Sequence, residues 1–361
     1  MSIIDIIEKV QEPYGLTEVV METNVSPNKK ESGKITIGDV ADALGISKTT
    51  VSRAISGKGR IGQETRERVM AYIKEHDYQP SPIAKGLAKS RTYNIGWVMP
   101  GDSTVTDLPF FQRCMMGISE IAALHDYDVL ITLVFDHDIS RLEKVVRNHK
   151  VDGVILGRTL VEDERIAFLN SNRIPFVTIG STDVTGVIQI DNNHIAACKE
   201  LTNILIMKGI RKLALIGGDA GHVVNRTRRI GFEAALEEQN IPVNEDWIYM
   251  NSDSNASINH SVDEILHNGA ECIVCMDDRI CYTVLEKLRK DNISVPGQIK
   301  VASFYNSQVL ANNQPPITAL QYDPKELGRE ACKILFDSIK GEEVAEKTLL
   351  SYEVVLKGST L

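Results

Sequence analysis

A row of hydrogen-bond donors follows one face of a predicted helix near the N-terminal end of the chain. Within residues 47–57, Val51, Ala54 and Ile55 recur at helical spacing, which predicts a buried inner face. The opposite face carries hydroxyl and cationic side chains and no carboxylate: Lys48, Thr49, Ser52, Arg53 and Ser56. Such side chains can bind phosphate oxygens and the edges of bases. We therefore interpret this face as a candidate nucleic-acid contact, with a plain solvated polar face as the alternative.

The residues before this helix predict another short helix, which would pack against it and fix its orientation. Thr36 and Asp39 fit a capping box, in which the Thr36 hydroxyl accepts from the Asp39 backbone N–H. Apolar residues then recur at helical spacing until Gly45, which can end a helix in a left-handed conformation. Ser47 fits the N-cap of the next helix. Two short helices joined by a tight glycine-containing turn predict a helix-turn-helix.

The charge distribution indicates a polyanionic partner. Residues 35–91 contain ten Lys and Arg and six Asp and Glu, so the net charge of this segment is +4. The whole chain carries −9, and the remainder of it therefore carries −13. A basic segment on an otherwise acidic protein favours a specific polyanionic partner at that segment, such as DNA, over non-specific binding by the whole protein.

Two runs in this region carry a specific resemblance. TIGDVADALGISKTTVSRAISG and TRERVMAYIKEHDYQPSPIAKGLAKSRTYNIGWVMP resemble the lactose-repressor (LacI/GalR) family of bacterial transcription regulators, and a looser similarity extends over about nine-tenths of the chain. The resemblance implies a cytoplasmic homodimer that binds double-stranded operator DNA, with repression favoured over activation. It also implies control by a small-molecule effector, with a sugar-like compound as the leading class.

The alternation of predicted strands and helices from Thr92 onward indicates parallel α/β sheets, and the strands are too numerous for one sheet. The family has two such lobes in a periplasmic-binding-protein-like, Rossmann-like fold. We therefore expect an N-terminal extension at 1–34 (a flexible tail), a helix-turn-helix DNA-binding domain at 35–80, a hinge at 81–91, and an effector-binding and dimerisation domain at 92–361. Within that last domain, we expect an N-lobe at about 92–192 and 318–343 and a C-lobe at about 193–317 and 344–361.

The resemblance assigns roles in DNA binding residue by residue. Lys48, Thr49 and Arg53 match positions that face the major groove. The full expected set of DNA contacts is Thr36, Ser47, Lys48, Thr49, Thr50, Ser52, Arg53, Ser56, Ala84 and Leu87. In the family, the hinge orders on operator DNA and inserts a leucine between base steps. Leu87 matches that leucine and Ala84 the small residue beside it, with a plain interdomain linker as the alternative.

Polar and aromatic residues stand near the carboxyl ends of several predicted strands, where open α/β sheets bind ligands. The resemblance assigns the effector site to eight of them: Phe110, Phe111, Asp191, Arg228, Asp253, Asp278, Tyr305 and Asn306. Arg228 matches the arginine of the family's Arg-x-x-Gly-Phe motif. Carboxylates and an arginine over an aromatic floor suit a polyhydroxylated ligand. For each single residue, the alternative is a satisfied loop cap.

The chain departs from the family pattern at one strand end of this site. Relatives usually carry Gly-Phe/Tyr-Asp there, whereas this chain has Ser303, Phe304, Tyr305 and Asn306. Tyr305 therefore replaces an aspartate that often holds the effector, and Asn306 is the candidate substitute. The identity of the effector stays open at this point.

Other functional classes lack their motifs. The sequence has no G-x-S-x-G and no P-loop, so we expect no enzyme and no cofactor. Cys272 and Cys275 would point to opposite faces of a strand, and residues 136–138 (Asp-His-Asp) are typical of a solvated turn, so we expect no metal site. No apolar run reaches 18 residues, and the acidic N-terminal residues lack the basic region of a signal peptide, so we expect neither a membrane span nor a secreted solute-binding protein. One alternative input remains, a phosphorylated carrier protein docked on the N-lobe.

Overall fold

The computed structural model describes residues 35–57, 59–78, 91–101, 109–135 and 138–361. The expected N-terminal extension, the hinge residues Ala84 and Leu87, and the pair Asp136 and His137 lie outside the described residues. The chain divides into two compact units, residues 1–84 and 85–361.

The described part of the first unit contains helices α1 (Ile37–Leu44), α2 (Lys48–Ser56) and α3 (Gln63–Glu75). The predicted caps are confirmed. Thr36 Oγ1 accepts from Asp39 N at 3.3 Å, while Asp39 Oδ2 accepts from Thr36 N at 2.8 Å. Gly45 ends α1 at a φ of 66°, and Ser47 Oγ accepts from Thr50 N at 3.1 Å.

A small apolar core and two arginines fix the angle between these helices. The core consists of buried residues from all three helices and one residue that follows α3: Val40, Ala41, Val51, Ala54, Val69 and Tyr78. From α3, Arg66 Nη2 donates to the Gly57 carbonyl and Arg68 Nη2 to the Leu44 carbonyl, both at 3.3 Å. These bonds satisfy carbonyls at the C-terminal ends of α2 and α1. Part of the basic charge in this unit is therefore structural.

The second unit contains two six-stranded sheets. The strands of the first sheet are β1 (Asn94–Pro100), β2 (Asp128–Val134), β3 (Gly153–Gly157), β4 (Phe176–Ile179), β5 (Gln189–Asn192) and β11 (Lys347–Leu350). They are parallel, in the order β11-β5-β4-β3-β1-β2. The helices that accompany them are α4 (Pro109–Leu124), α5 (Ser140–Arg147), α6 (Glu164–Ser171) and α12 (Pro324–Lys340). Trp97 and Val98 lie in two different core clusters, so the sheet is covered on both faces.

The second sheet repeats this plan. Its strands are β6 (Leu213–Ile216), β7 (Ile248–Tyr249), β8 (Cys272–Cys275), β9 (Lys300–Ser303), β10 (Thr318–Gln321) and β12 (Glu353–Val355). Their order is β12-β10-β9-β8-β6-β7, and β12 pairs antiparallel with β10 whereas the other pairs are parallel. The helices are α7 (His194–Met207), α8 (Val223–Glu238), α9 (Asn255–His267), α10 (Asp278–Lys290) and α11 (Gln308–Ala311), with 3-10 turns at Glu245–Trp247 and Gly358–Thr360. The predicted two-lobed α/β architecture is confirmed.

The expected lobe boundaries near the C-terminus were wrong. β10, expected in the N-lobe, pairs with β9 in the second sheet, and β11, expected in the C-lobe, pairs with β5 in the first. The N-lobe therefore holds residues up to 192 and about 322–351, and the C-lobe holds about 193–321 and 352–361. Lys347 of β11 pairs with the distant Gln189, a long-range pairing that local patterns do not show. Thr318 of β10 pairs with Ala302 of the preceding strand, so the chain crosses between the lobes after β10 and not before it. No helix in the described ranges is both long enough and apolar enough to span a membrane.

Two glycines allow α4 and α12 to pack closely in the N-lobe. A Cβ added at Gly117 would overlap the Lys325 carbonyl oxygen, and one added at Gly328 would overlap the Cys114 carbonyl oxygen. The obstructing atoms are backbone, so they can move only with their helices. The close approach buries the α12 residues Leu327, Ala331 and Leu335 against the first sheet's core.

We predict that Gly328→Ala lowers the free energy of unfolding by at least about 1–3 kcal/mol, because the helices must separate to admit the methyl group. Gly96→Ala is the control, since a Cβ there would meet Val154 Cγ2 at an ordinary 3.4 Å. Urea denaturation followed by circular dichroism measures both. Equal stability of the two variants would contradict the close packing of α4 on α12.

Candidate nucleic-acid interface and ligand cleft

The outer face of α2 is open to solvent, as the sequence predicts. Ser47, Lys48, Thr49, Ser52, Arg53 and Ser56 are exposed, and Thr50 is half-buried. Two of the predicted contact residues also serve as caps, Thr36 for α1 and Ser47 for α2, and the Ser47 hydroxyl lies 2.9 Å from that of Thr50. Capping fixes the first turn of α2, so Lys48 and Thr49 start from a defined position.

The ligand cleft lies between the two lobes, and its cavity has a volume of about 160 Å³. Seven of the eight predicted effector residues line it: Phe110, Phe111, Asp191, Arg228, Asp253, Asp278 and Tyr305. Asn306 does not. Its Nδ2 donates to Gln321 Oε1 at 3.1 Å and its backbone N–H to the Leu320 carbonyl at 2.8 Å. Asn306 thus bonds to β10 beside the lobe crossover, and its contact with an effector stays a prediction.

Arg228 and the loop after β8 form the polar wall of the C-lobe. Arg228 is 7 % exposed, and its Nη1 donates to the Met276 carbonyl at 2.7 Å. Asp277 caps α10 by accepting from Ile280 N at 2.8 Å. Burial raises the pKa of Asp278, and the neighbouring Asp277 raises it further. Within the described residues, Arg228 Nε and Asp278 Oδ1 are buried without a hydrogen-bond partner.

A buried network at the lobe crossover surrounds Asp191. Its Oδ2 accepts from the backbone N–H and the hydroxyl of Ser181, both at 2.9 Å, and Oδ1 lies 3.3 Å from His194 Nε2. The other His194 nitrogen lies 3.2 Å from the Tyr322 hydroxyl. Burial alone would raise the pKa of Asp191, but His194, Ser181 and the Asn192 backbone N–H together hold it below its ordinary value. Burial lowers the pKa of His194, against the pull of Asp191, so the pair is carboxylate and neutral imidazole at neutral pH.

Aromatic rings form the apolar part of the cleft. Phe110 meets Tyr305 edge to face with ring centroids 6.1 Å apart, and Tyr305 stacks on Tyr322 at 6.3 Å. Burial raises the pKa of Tyr305, so its hydroxyl is protonated. Tyr305 therefore offers a ring face and a donor where the family pattern has a carboxylate acceptor.

The cleft also contains residues that the sequence reasoning missed: Arg158, Thr159, His194, Asp219, His222, Asn225, Arg279 and Tyr322. A signal was available for several of them. Arg158 directly follows β3, Asp219 comes soon after β6 and Tyr322 directly follows β10, and strand carboxyl ends are where such folds bind ligands. Asp191 was expected after a strand and instead lies inside β5.

Among the described residues, no cysteine thiol is exposed at the protein surface. Cys272 lies in one core cluster of the C-lobe and Cys275 in another, so the prediction that they face opposite sides of the strand is confirmed. All six cysteines are buried and unbridged. Within the described ranges, no group of three or more His, Cys, Asp or Glu side chains is arranged to hold a metal ion.

A helix-turn-helix unit and a two-lobed α/β unit with a polar and aromatic cleft define a class of DNA-binding regulators. Residues 36–81 match the profile of bacterial regulatory proteins of the lacI family, and residues 202–360 match a periplasmic binding protein-like domain. The transcriptional regulator MalR of Staphylococcus xylosus is 30% identical over 317 residues, which cover 86% of this chain and 93% of MalR. The chain therefore belongs to the lacI family of bacterial regulatory proteins and is a DNA-binding transcription regulator.

Two further comparisons agree with this assignment. The transcriptional regulator RegA of Clostridium saccharobutylicum is 27% identical over 333 residues, covering 90% of this chain and 99% of RegA. A lac repressor dimer bound to operator and the anti-inducer ONPF superposes with a TM-score of 0.79 at 22% identity, covering 91% of this chain and 99% of that chain. The structural likeness shows a shared fold.

We predict that His194→Gln flattens the pH dependence of stability. The folded pKa of His194 lies below the ordinary 6.5, so the unfolded chain binds the proton first as pH falls, and the wild type loses stability below about pH 6.5. Gln can donate to Asp191 and accept from Tyr322 without titrating. The opposing contributions of Asp277 and Asp278, whose pKa values are raised, are the same in both proteins. Thermal melts at pH 7.5 and 5.5 should show a larger drop for the wild type, and an equal drop would refute a neutral His194.

Proposed function

We propose that this protein is a homodimeric repressor whose affinity for a pseudo-palindromic operator is set by a sugar-like effector bound in the interlobe cleft. The observation that carries the effector role is the pair of buried, unpartnered polar atoms, Arg228 Nε and Asp278 Oδ1, in one cleft. Buried polar groups without partners cost free energy. A ligand with hydroxyl groups can accept from the first and donate to the second.

The remaining cleft groups suit the same ligand class. Asp253 is exposed in the lining, and its carboxylate can accept from hydroxyls. The rings of Phe110 and Tyr305 offer apolar faces on which a sugar ring can stack. The regulator CelR, whose structure was solved as a cellobiose complex, and a regulator from Enterococcus faecium with bound ribose share this fold. These likenesses favour a sugar without selecting one.

DNA binding would place α2 in the major groove. Arg53 can donate two parallel hydrogen bonds to a guanine, and Lys48 and Thr49 can reach neighbouring bases. Ser47, Thr50 and Ser52 would lie nearer the phosphates. The hinge proposal, in which Leu87 enters the minor groove beside Ala84, rests on the family match alone.

Dimerisation would use the outer edge of the N-lobe. β2 is an edge strand of the first sheet, and Ile131 and Phe135 on or beside it are 49 % and 44 % exposed. Met116 in α4 is 53 % exposed. Edge strands with exposed apolar side chains are usually covered by a partner. A second copy with the same surface would give the two-fold symmetry that a palindromic operator requires.

We predict that Arg53→Ala lowers the preference for operator over random DNA by about 1–3 kcal/mol, through loss of a base contact. Operator duplexes would be selected from a random-sequence library with the wild-type protein, and binding measured by fluorescence anisotropy. Lys74→Ala is the control because Lys74 is an exposed cation in the last turn of α3, away from the proposed contacts. Equal losses on operator and random DNA would make Arg53 a phosphate contact only.

We predict that Arg228→Ala abolishes the change in operator affinity caused by sugars and leaves affinity in their absence near wild type. Maltose, cellobiose and ribose would be titrated into protein–operator complexes. Arg229→Ala is the matched control, since Arg229 is the next residue of α8 and pairs with Glu233 and Glu245 outside the cleft lining. An Arg228→Ala variant that responds at wild-type concentrations would exclude Arg228 from the site. No wild-type response to any sugar would direct the search to other metabolites or to a phosphorylated carrier protein.

A further inference from the structure

Two loops from opposite lobes meet through their backbones at the cleft. The first, residues 158–163, follows β3, and the second, residues 219–223, leads from β6 into α8. Their contact is an antiparallel β-bridge between Leu160 and His222. Residues of both loops line the cleft.

Backbone hydrogen bonds flank the bridging pair on both sides. Val161 N–H donates to the Gly221 carbonyl at 2.9 Å, and Val223 N–H donates to the Thr159 carbonyl at 3.1 Å. Both bonds join protein to protein, so no ligand atom takes part in them. We propose that this bridge, the latch, holds the two lobes closed in the free protein and sets how strongly an effector must bind to change the lobes' arrangement.

The N-lobe half of the latch is held rigidly by a buried ion pair. Arg165 is fully buried, and its Nε and Nη2 donate to the two Asp163 oxygens, each at 2.7 Å. The same Asp163 carboxylate accepts from Leu160 N at 3.1 Å. Arg165 Nη2 also donates to the Arg158 carbonyl at 3.1 Å. The loop therefore keeps its shape whether or not the other lobe touches it.

The neighbouring residues restrain this half further. Arg158 has a φ of 68°, a left-handed conformation that needs support in a non-glycine residue. Thr159 Oγ1 donates to the Ser181 carbonyl at 2.6 Å. The Thr159 carbonyl is thereby fixed where it can accept from the other lobe.

The C-lobe half is a tight turn built on Asp219. Its Oδ1 accepts from Gly221 N at 2.7 Å, and its carbonyl accepts from His222 N at 3.2 Å and from Asn225 Nδ2 at 2.9 Å. Asn251 Oδ1 accepts from Ala220 N at 3.0 Å. Both halves have a fixed shape before they meet. Their contact therefore costs little additional conformational entropy.

The latch is nevertheless weak enough to open. Val161 is 48 % exposed, so water can compete for its hydrogen bond. Arg226 and Asp183 add an ion pair across the lobes at 3.8 Å, but both side chains are exposed and the pair contributes little. Because the closed arrangement of the lobes is only modestly stable, an equilibrium between closed and open lobes is within reach of a ligand. A ligand that binds one arrangement more tightly than the other shifts this equilibrium toward it. This regulatory role rests on the proposed effector function, whereas the latch itself does not.

Val223→Pro removes one latch donor with little other damage. Val223 is the first residue of α8, a position where proline is favoured because the N–H has no helical partner. The preceding His222 has φ −83° and ψ 123°, the extended conformation that a following proline requires. Asn255→Pro is the matched control, at the first position of α9 after the extended Ser254.

Hydrogen–deuterium exchange on the full-length variants without any sugar tests the latch. We expect exchange at the Val161 amide to rise about two- to tenfold in Val223→Pro, the effect of losing one hydrogen bond, and to stay at the wild-type rate in Asn255→Pro. Equal exchange at Val161 in the wild type and Val223→Pro would overturn the proposal.

A disulfide across the bridge supplies a second, reversible test. Leu160 and His222 are a non-hydrogen-bonded antiparallel pair, whose close spacing suits a disulfide. The Leu160→Cys, His222→Cys double variant should oxidise readily and keep the wild-type radius of gyration in solution scattering, and expansion on oxidation would contradict a closed free protein. Oxidised protein should also lose the change in operator affinity that maltose, cellobiose or ribose causes in the reduced form. A response equal in both forms would refute the latch as a regulator, whereas wild-type protein without any response would count against the effector proposal instead.

Discussion

The burial of charged side chains between the two lobes is the constraint on which the rest of the structure depends. A buried ionisable group costs several kcal/mol unless other groups satisfy it. Asp191 is satisfied by backbone and hydroxyl donors and by His194, so its carboxylate is a fixed part of the crossover. Arg228 and Asp278 are satisfied only in part. The C-lobe wall of the cleft thus carries hydrogen-bonding capacity that a ligand can use, and the N-lobe residue Phe110 lines the same cleft.

The same local device, a polar group at the end of a helix or strand, recurs at every functional position. In the first unit, Thr36 and Ser47 cap helices and so set the starting turn of the exposed donor face. In the second, Asp277 caps α10 and places Asp278 in the cleft. Backbone N–H and carbonyl groups of the loops that follow β3 and β6 also join the two lobes, through the hydrogen bonds of the latch. Ligand binding and lobe closure therefore act on the same loops.

Local features could be read from the sequence and long-range ones could not. The caps at Thr36 and Ser47 were predictable because their partners lie three residues away. Arg228 was found because its motif matched the family. The place of β11 in the N-lobe was missed, since its pairing with β5 spans over 150 residues and leaves no local pattern. His222 was missed because its place in the cleft depends on how the lobes meet, whereas Arg158 directly follows β3 and could have been found from that position.

The most direct test of the account is whether the cleft and the DNA-binding unit are thermodynamically linked. Calorimetric titration would measure the affinity of the protein for whichever of maltose, cellobiose and ribose stabilises it, with and without saturating operator DNA. Linkage requires that operator changes the sugar affinity by the same factor by which the sugar changes operator affinity. The account predicts a factor of about 5–150, equal in both directions. Sugar binding with the same affinity in the presence and absence of operator would contradict it.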